Sequence, residues 1–143
     1  MPDTVALARQ KLLDGGYTCF VLLGQEEYFS FERGVKPLLS FLQSGTSFLG
    51  AVAADKTVGA GAAHLYVLLG VSAVWANVMS QPAKTVLEQN GIAVFYQTLV
   101  PNIINRQGTD LCPMERAVLG AENSLVAKER ILRALEKLQS QPN

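Results

Sequence analysis

The chain has 143 residues, 49 % apolar and 17 % charged, with twelve basic side chains against twelve acidic ones. The length suits one domain, residues 1–143, with a single core, and the apolar content excludes a disordered chain. Charge balance excludes the basic footprint needed for a nucleic-acid duplex or an anionic membrane surface, and two cysteines in different settings do not make a disulfide framework.

The first residues, MPDTVALARQKLLDGG, have neither the basic start nor the apolar core of a signal peptide, so a cytoplasmic protein is expected. Val5, Ala8 and Leu12 share one face of a helix predicted over about Thr4 to Leu13, and Gly15-Gly16 ends it. Tyr17 to Leu23 is an apolar run of strand length, Gly24-Gln25-Glu26 turns the chain, and EYFSFE alternates as the second arm of a hairpin. VKPLLSFLQSG reads as a short helix with Pro37 in its first turn. Asp55 is the natural N-cap of a helix over about Lys56 to Leu69, in which Gly59 and Gly61 would permit close approach to the sheet.

From Thr57 to Ala83 there is no charged residue. Its Gly/Ala-rich first half is too weakly hydrophobic for a membrane span, and Gly70 breaks it. A buried helix followed by a buried strand, Val71 to Met79, fits better. Ser80 caps a helix that opens with Pro82 and ends at Asn90-Gly91, and Ile92 to Tyr96 is a further strand. The polar connector PNIINRQGTD leads to Cys112. Pro113 begins a helix to about Leu119, and a last helix over Ser124 to Leu138 carries Leu125, Ile131, Leu132, Leu135 and Leu138 as its stripe. The order α-β-β-α-α-β-α-β-α-α implies an α/β three-layer sandwich, a mixed central sheet with helices on both faces.

Ligands in such sheets bind where strands end and helices begin. Cys112 stands at an N-cap, where free amides favour a thiolate, so it is a candidate nucleophile or sulfur carrier; it also suits a tight turn as a small packing residue. Glu115 falls where a capping box would reach back. Asp55 and Lys56 are candidates as base and charge stabiliser, or as a cap and a solvated lysine. Lys36, Arg33, Ser80, Asn102, Asn105 and Arg106 are candidate ligand contacts. On a helix starting at Lys56, the lone His64 falls opposite Asp55, which reads as a core or interface histidine rather than a catalytic partner. No metal and no cofactor are expected.

The arrangement resembles the cytidine deaminase fold: a hairpin, a helix bearing the first metal ligand, a strand, and a second ligand-bearing helix. Asp55-Lys56-Thr57 stands where that family has His-x-Glu or Cys-x-Glu. The second place, Ser80-Gln81-Pro82-Ala83-Lys84-Thr85-Val86, keeps the proline of Pro-Cys-x-x-Cys but has Ala83 and Val86 for the cysteines. Three ligands and the proton-shuttling glutamate are missing, which rules against a zinc deaminase. Nearly the whole chain is similar to a small prokaryotic family of unassigned function with a deaminase-like fold and no zinc site. The stretches RGVKPLLSFL, AVAADKTVGAGAA, SQPAKTVLEQNGI and LVPNIINRQGTDLCPMERAVL carry that similarity. It implies a site around Asp55, Lys56 and Cys112, and self-association. In fold it is also distantly similar to the accessory sulfurtransferase of formate dehydrogenase, whose Cys-x-x-Cys loop is absent here.

Three readings follow. One is Cys112-dependent chemistry on a small anionic or nucleotide-like ligand. Another is a non-catalytic module binding such a ligand. The third is a structural protein that buries an apolar face around Trp75 and Tyr66 against a second copy.

Overall fold

The computed structural model describes residues 1–140. Helix α1 (Asp3–Gly15) stops at Gly16, whose φ of 66° is a left-handed cap that favours glycine. Strands β1 (Cys19–Leu23) and β2 (Glu26–Ser30) form the expected hairpin, with Leu23 opposite Glu26 across Gly24-Gln25. Helix α2 (Lys36–Gln43) carries Pro37 in its first turn.

Val52–Val58 is a strand, β3, paired antiparallel to β1 and parallel to β4 (Ala73–Ser80), and the helix α3 (Ala60–Leu69) begins only after Gly59. Asp55 is therefore a strand residue and caps nothing. Its segment is central in the sheet, so backbone pairing on both sides outweighs the weak strand preference of Ala-Ala-Asp-Lys. Helix α4 (Gln81–Gln89) opens as expected, with the Ala83 amide donating to Ser80 Oγ at 3.2 Å. Strand β5 (Ala93–Val100), the short helix α5 (Pro113–Ala117) and α6 (Ser124–Ser140) complete the chain. The sheet is mixed and five-stranded, in the order β2-β1-β3-β4-β5, so the fold is α/β.

Two cores flank the sheet. On one face α1 alone packs Val5, Ala8 and Leu12 against Phe20, Leu22, Val52, Ala54 and Trp75. On the other face α2, α3 and α4 cover Val21, Ala53, Val74 and Met79, and α6 adds Ala127 and Ile131 from outside. Lying between the sheet and α6, α3 is apolar nearly all round, as a doubly covered helix must be. Its glycines serve the outer layer, not the sheet: a Cβ on Gly61 would lie 3.2 Å from Met114 Cβ and 3.5 Å from Ile131 Cδ1. Trp75 is buried under α1, and Tyr66, on α3, is buried with its hydroxyl against Asp55 and Cys19 of the sheet, so they leave no apolar face for a second copy there. The α6 stripe also differs. Ala127, Ile131 and Leu135 face α3, while Leu125, Leu132 and Leu138 are exposed. Ala127 lies one turn before Ile131, so the i, i+4 row runs through it, not through the leucines.

The three parallel strands share an irregularity. Ala53 and Val58 of β3 lie in the same core although an odd number of residues apart, and so do Ala76 and Met79 of β4. Strict alternation would put each pair on opposite faces. The pairings skip Lys56, Asn77 and Gln97, one residue in each strand. The slip leaves Lys56, Thr57 and Asn77 exposed. Among the described residues no helix is long and apolar enough to cross a membrane.

Candidate functional site

At the carboxyl ends of β3 and β4, where α3 and α4 begin, a cleft of about 550 Å³ opens toward α5 and the start of α6. Its wall is built by contacts remote in sequence. Glu115, only 3 % exposed, turns its carboxylate away from its own helix. Ala60 N–H donates to Oε2 and Ile103 N–H to Oε1, both at 3.2 Å. The expected capping box is therefore replaced by a cap on α3, which places a negative side chain at the positive end of that helix.

One turn into α3, His64 is 8 % exposed, and its Nδ1 lies 3.0 Å from Oγ of Ser124, itself 9 % exposed. Burial pulls the imidazole below its ordinary pKa, so the ring is neutral at pH 7. No buried side-chain nitrogen or oxygen among the described residues lacks a hydrogen-bond partner, and Nε2 has none. Nε2 is therefore open to solvent through the cleft that His64 lines. Ser124 begins α6 just after Asn123, whose Oδ1 accepts from Val126 N–H at 2.9 Å. Gln81, Thr85 and Gln89 of α4 and Asn90 at its end, with Glu122 and Asn123, form the rest of the polar rim.

The residues singled out from the sequence do not meet in this cleft. Asp55 and Lys56, as strand neighbours, point to opposite faces. Asp55 is buried on the α3 side, where Tyr66 O–H donates to Oδ2 at 2.6 Å and Thr57 N–H to Oδ1 at 3.3 Å. Cys19 Sγ lies 3.3 Å from the Tyr66 hydroxyl. With Asp55 ionised and Tyr66 donating to it, the thiol must be the donor, giving a relay from Cys19 through Tyr66 to Asp55. Burial pushes the Asp55 carboxyl up to about 7, against the opposing bonds from Tyr66, Thr57 and Lys56.

Lys56 is exposed on the α1 side, in a shallow hollow of about 500 Å³ with Tyr17, Thr57 and Asn77, and has no ion-pair partner among the described residues. Cys112 caps α5 as expected and is half-buried. Its thiol makes no hydrogen bond, to Asp55, Lys56 or any other described residue, and it does not line the cleft. Ser80 is fully buried as the α4 cap. Asn105 closes its own loop, accepting from Thr109 N–H at 3.0 Å. Arg33, Lys36 and Arg106 are exposed, and Asn102 is half-buried in the connector. Among the described residues no group of three or more His, Cys, Asp or Glu side chains is placed to hold a metal ion.

The two thiols should differ sharply in reactivity. Cys19 is buried, and burial holds its pKa well above the ordinary value, with Asp55 adding to the effect. Iodoacetamide should modify one thiol per native chain, at Cys112, and two in urea. A native Cys112→Ser variant that still takes up label would contradict this.

His64, Ser124 and Glu115 line the cleft. The sequence reading of His64 as a core or interface histidine agrees with its burial but did not pair it with Ser124, which the sequence marked only as the start of the last helix. The only local signal was that His64 is the chain's single histidine.

Fold and cleft thus define an α/β protein with a polar cleft at the switch from strand to helix. By sequence the chain belongs to the DUF1893 family, a domain of unknown function also designated TM1506, which matches residues 7–136. No curated protein matches. The fold is shared with the crystal structure of a DUF1893 family protein (TM1506) from Thermotoga maritima. That comparison has a TM-score of 0.84 and 21 % identity, over 93 % of this chain and 91 % of the other.

Proposed function

We propose that the chain binds a small polar molecule, uncharged or cationic, in the cleft between α3, α4, α5 and α6. The lining carries this reading. Its charged members are Glu115 and Glu122, with no lysine or arginine, beside a neutral imidazole whose Nε2 is open. The helix starts that would attract an anion are already served from within the chain: α3 by Glu115, α4 by Ser80 and Pro82, and α6 in part by Asn123. Gln81, Gln89 and Asn90 offer amide donors and acceptors suited to a nucleobase edge. The nucleotide-like ligand expected from the sequence is thereby narrowed to its uncharged part. The resemblance to cytidine deaminases supports the same location, since both of its ligand-bearing helices start there, although α3 starts at Ala60 and not at Asp55.

A panel of nucleosides, free bases and small amines, scored by melting temperature, tests this reading, because a ligand of the native state raises its stability. A hit should stabilise the native chain and lose its effect in Thr85→Trp, which fills the cleft from an exposed position on α4. An equal shift in both proteins would move the ligand elsewhere.

A second reading follows from Lys56, whose unpaired ammonium in the α1-side hollow favours an anionic ligand. Phosphate and nucleotides in the same panel, with Lys56→Ala as control, test it. Cys112 as a nucleophile or sulfur carrier rests on its unbonded, half-buried thiol at an N-cap. A pH profile of Cys112 alkylation with an ordinary midpoint near 8.5 would count against that reading.

A further inference from the structure

The cleft holds a hydroxyl and an imidazole nitrogen within hydrogen-bond distance, and binding alone requires neither. We propose that Ser124 is a nucleophile and His64 its general base, and that the cleft hydrolyses a small uncharged or cationic carboxylic ester or thioester. The proposal rests on the cleft reading given above.

Three observations carry it. Ser124 Oγ and His64 Nδ1 are 3.0 Å apart, both side chains are nine-tenths buried, and both line the open cleft. Nε2 has no partner, so the ring is not tied to an acid that would fix it. It is held by its place inside α3, packed between the sheet and α6. The third observation lies in the backbone. Asn123 takes the Val126 N–H with its side chain and the Ala127 N–H with its carbonyl. The N–H groups of Ser124 and Leu125 are left with no acceptor among the described residues. Amides at the first two positions of a helix have no partner within it, and α6 starts at Ser124, on the cleft lining beside Glu122 and Asn123. Two free donors on the nucleophile and the next residue suit an oxyanion that develops only as the serine attacks. A lowered pKa keeps the imidazole in the unprotonated form that a base requires.

The chemistry balances with water as the second reactant. Ser124 Oγ bonds to the acyl carbon as its proton passes to Nδ1, and the carbonyl electron pair moves onto oxygen, facing the two amides. Collapse expels the alkoxide or thiolate, which leaves with the proton from Nδ1. Water then attacks the acyl-serine, giving its proton to Nδ1. That proton returns to Ser124 as the carboxylic acid departs. Once ionised, the product is repelled by Glu115 and Glu122, which favours its release.

An uncharged alkyl fluorophosphonate is the probe, read by intact mass and peptide sequencing, with 4-nitrophenyl acetate for turnover. One phosphonyl group per chain is expected, mapped to Ser124 in the unmodified protein, so this readout needs no variant. Ser124→Ala should take up none. His64→Gln, which keeps a hydrogen-bonding side chain, should react at least about tenfold more slowly, since general base assistance typically supplies 10²–10⁴-fold. No adduct in the folded chain, an adduct on another residue, or an unchanged rate in His64→Gln would overturn the proposal. If a ligand still binds in a manner blocked by Thr85→Trp while no adduct forms, the nucleophile falls and the binding reading stands.

Discussion

At pH 8, Asp55→Asn is expected to melt above the unaltered chain, and the difference should vanish in acid. Asp55 is the buried end of the Cys19–Tyr66–Asp55 relay, and its carboxyl is raised from an ordinary 3.8 to about 7 by burial first. The sign follows from proton linkage. Below about pH 4 the carboxyl is protonated in both folded and unfolded chains and favours neither. Between about 4 and 7 the folded chain keeps a proton that the unfolded chain has lost, so stability falls as pH rises. Above 7 the folded chain holds a buried carboxylate and the whole penalty is present. At 1.36 kcal/mol per pH unit the limit is on the order of 4 kcal/mol. Asparagine can accept the same Tyr66 hydrogen bond without the charge. Melting curves from pH 4 to pH 9 check this. Tyr66→Phe, which removes a bond that holds the Asp55 pKa down, should extend the fall to higher pH. A parallel pH profile for Asp55→Asn and the unaltered chain would refute the assignment.

The second large effect is expected at Glu115. Its carboxylate joins three segments: α5, which carries it, the start of α3 through Ala60, and the connector through Ile103. Glu115→Ala strands two amide donors, each worth roughly 1–3 kcal/mol when left unpaired, and opens a void beside Gly59, whose own Cα side lies against Glu115. A loss of about 3 kcal/mol or more is expected. At roughly 3 °C per kcal/mol for a chain of this size, that is a fall near 10 °C. Glu115→Gln retains one acceptor and should lose less. Glu115→Ala within a degree of the unaltered chain would mean that the cap is not a structural tie.

Much of the fold was legible because its signals are local. The hairpin turn at Gly24-Gln25, the Ser80–Pro82 helix start and the Gly15-Gly16 stop each sit beside the element they define. β3 was hidden because Asp55 has the chemistry of a cap. What makes its segment a strand is pairing with β1 and β4, which no window of sequence displays. The α6 stripe was misread for a related reason: helical spacing finds several apolar rows, and only the neighbour α3 selects the one through Ala127 and Ile131. The site was legible in part. Cys112 was correctly placed at a helix start, and Glu115 was recognised as a capping residue. But Glu115 caps a helix 55 positions away, and His64 meets Ser124 across 60. Those pairings arise from the stacking of α5 and α6 on α3, and for that reason a lone histidine carried no visible partner.

The central claim is that ligand binds at the cleft between α3, α4 and α6 and not at the Lys56 hollow on the opposite face of the sheet. The most direct measurement is a backbone amide NMR titration of the isotopically labelled chain with the strongest hit of the nucleoside and amine panel. Saturable shifts are predicted at Ala60, His64, Gln81, Thr85, Ser124 and Leu125. Shifts confined to Tyr17, Lys56, Thr57 and Asn77 would contradict it.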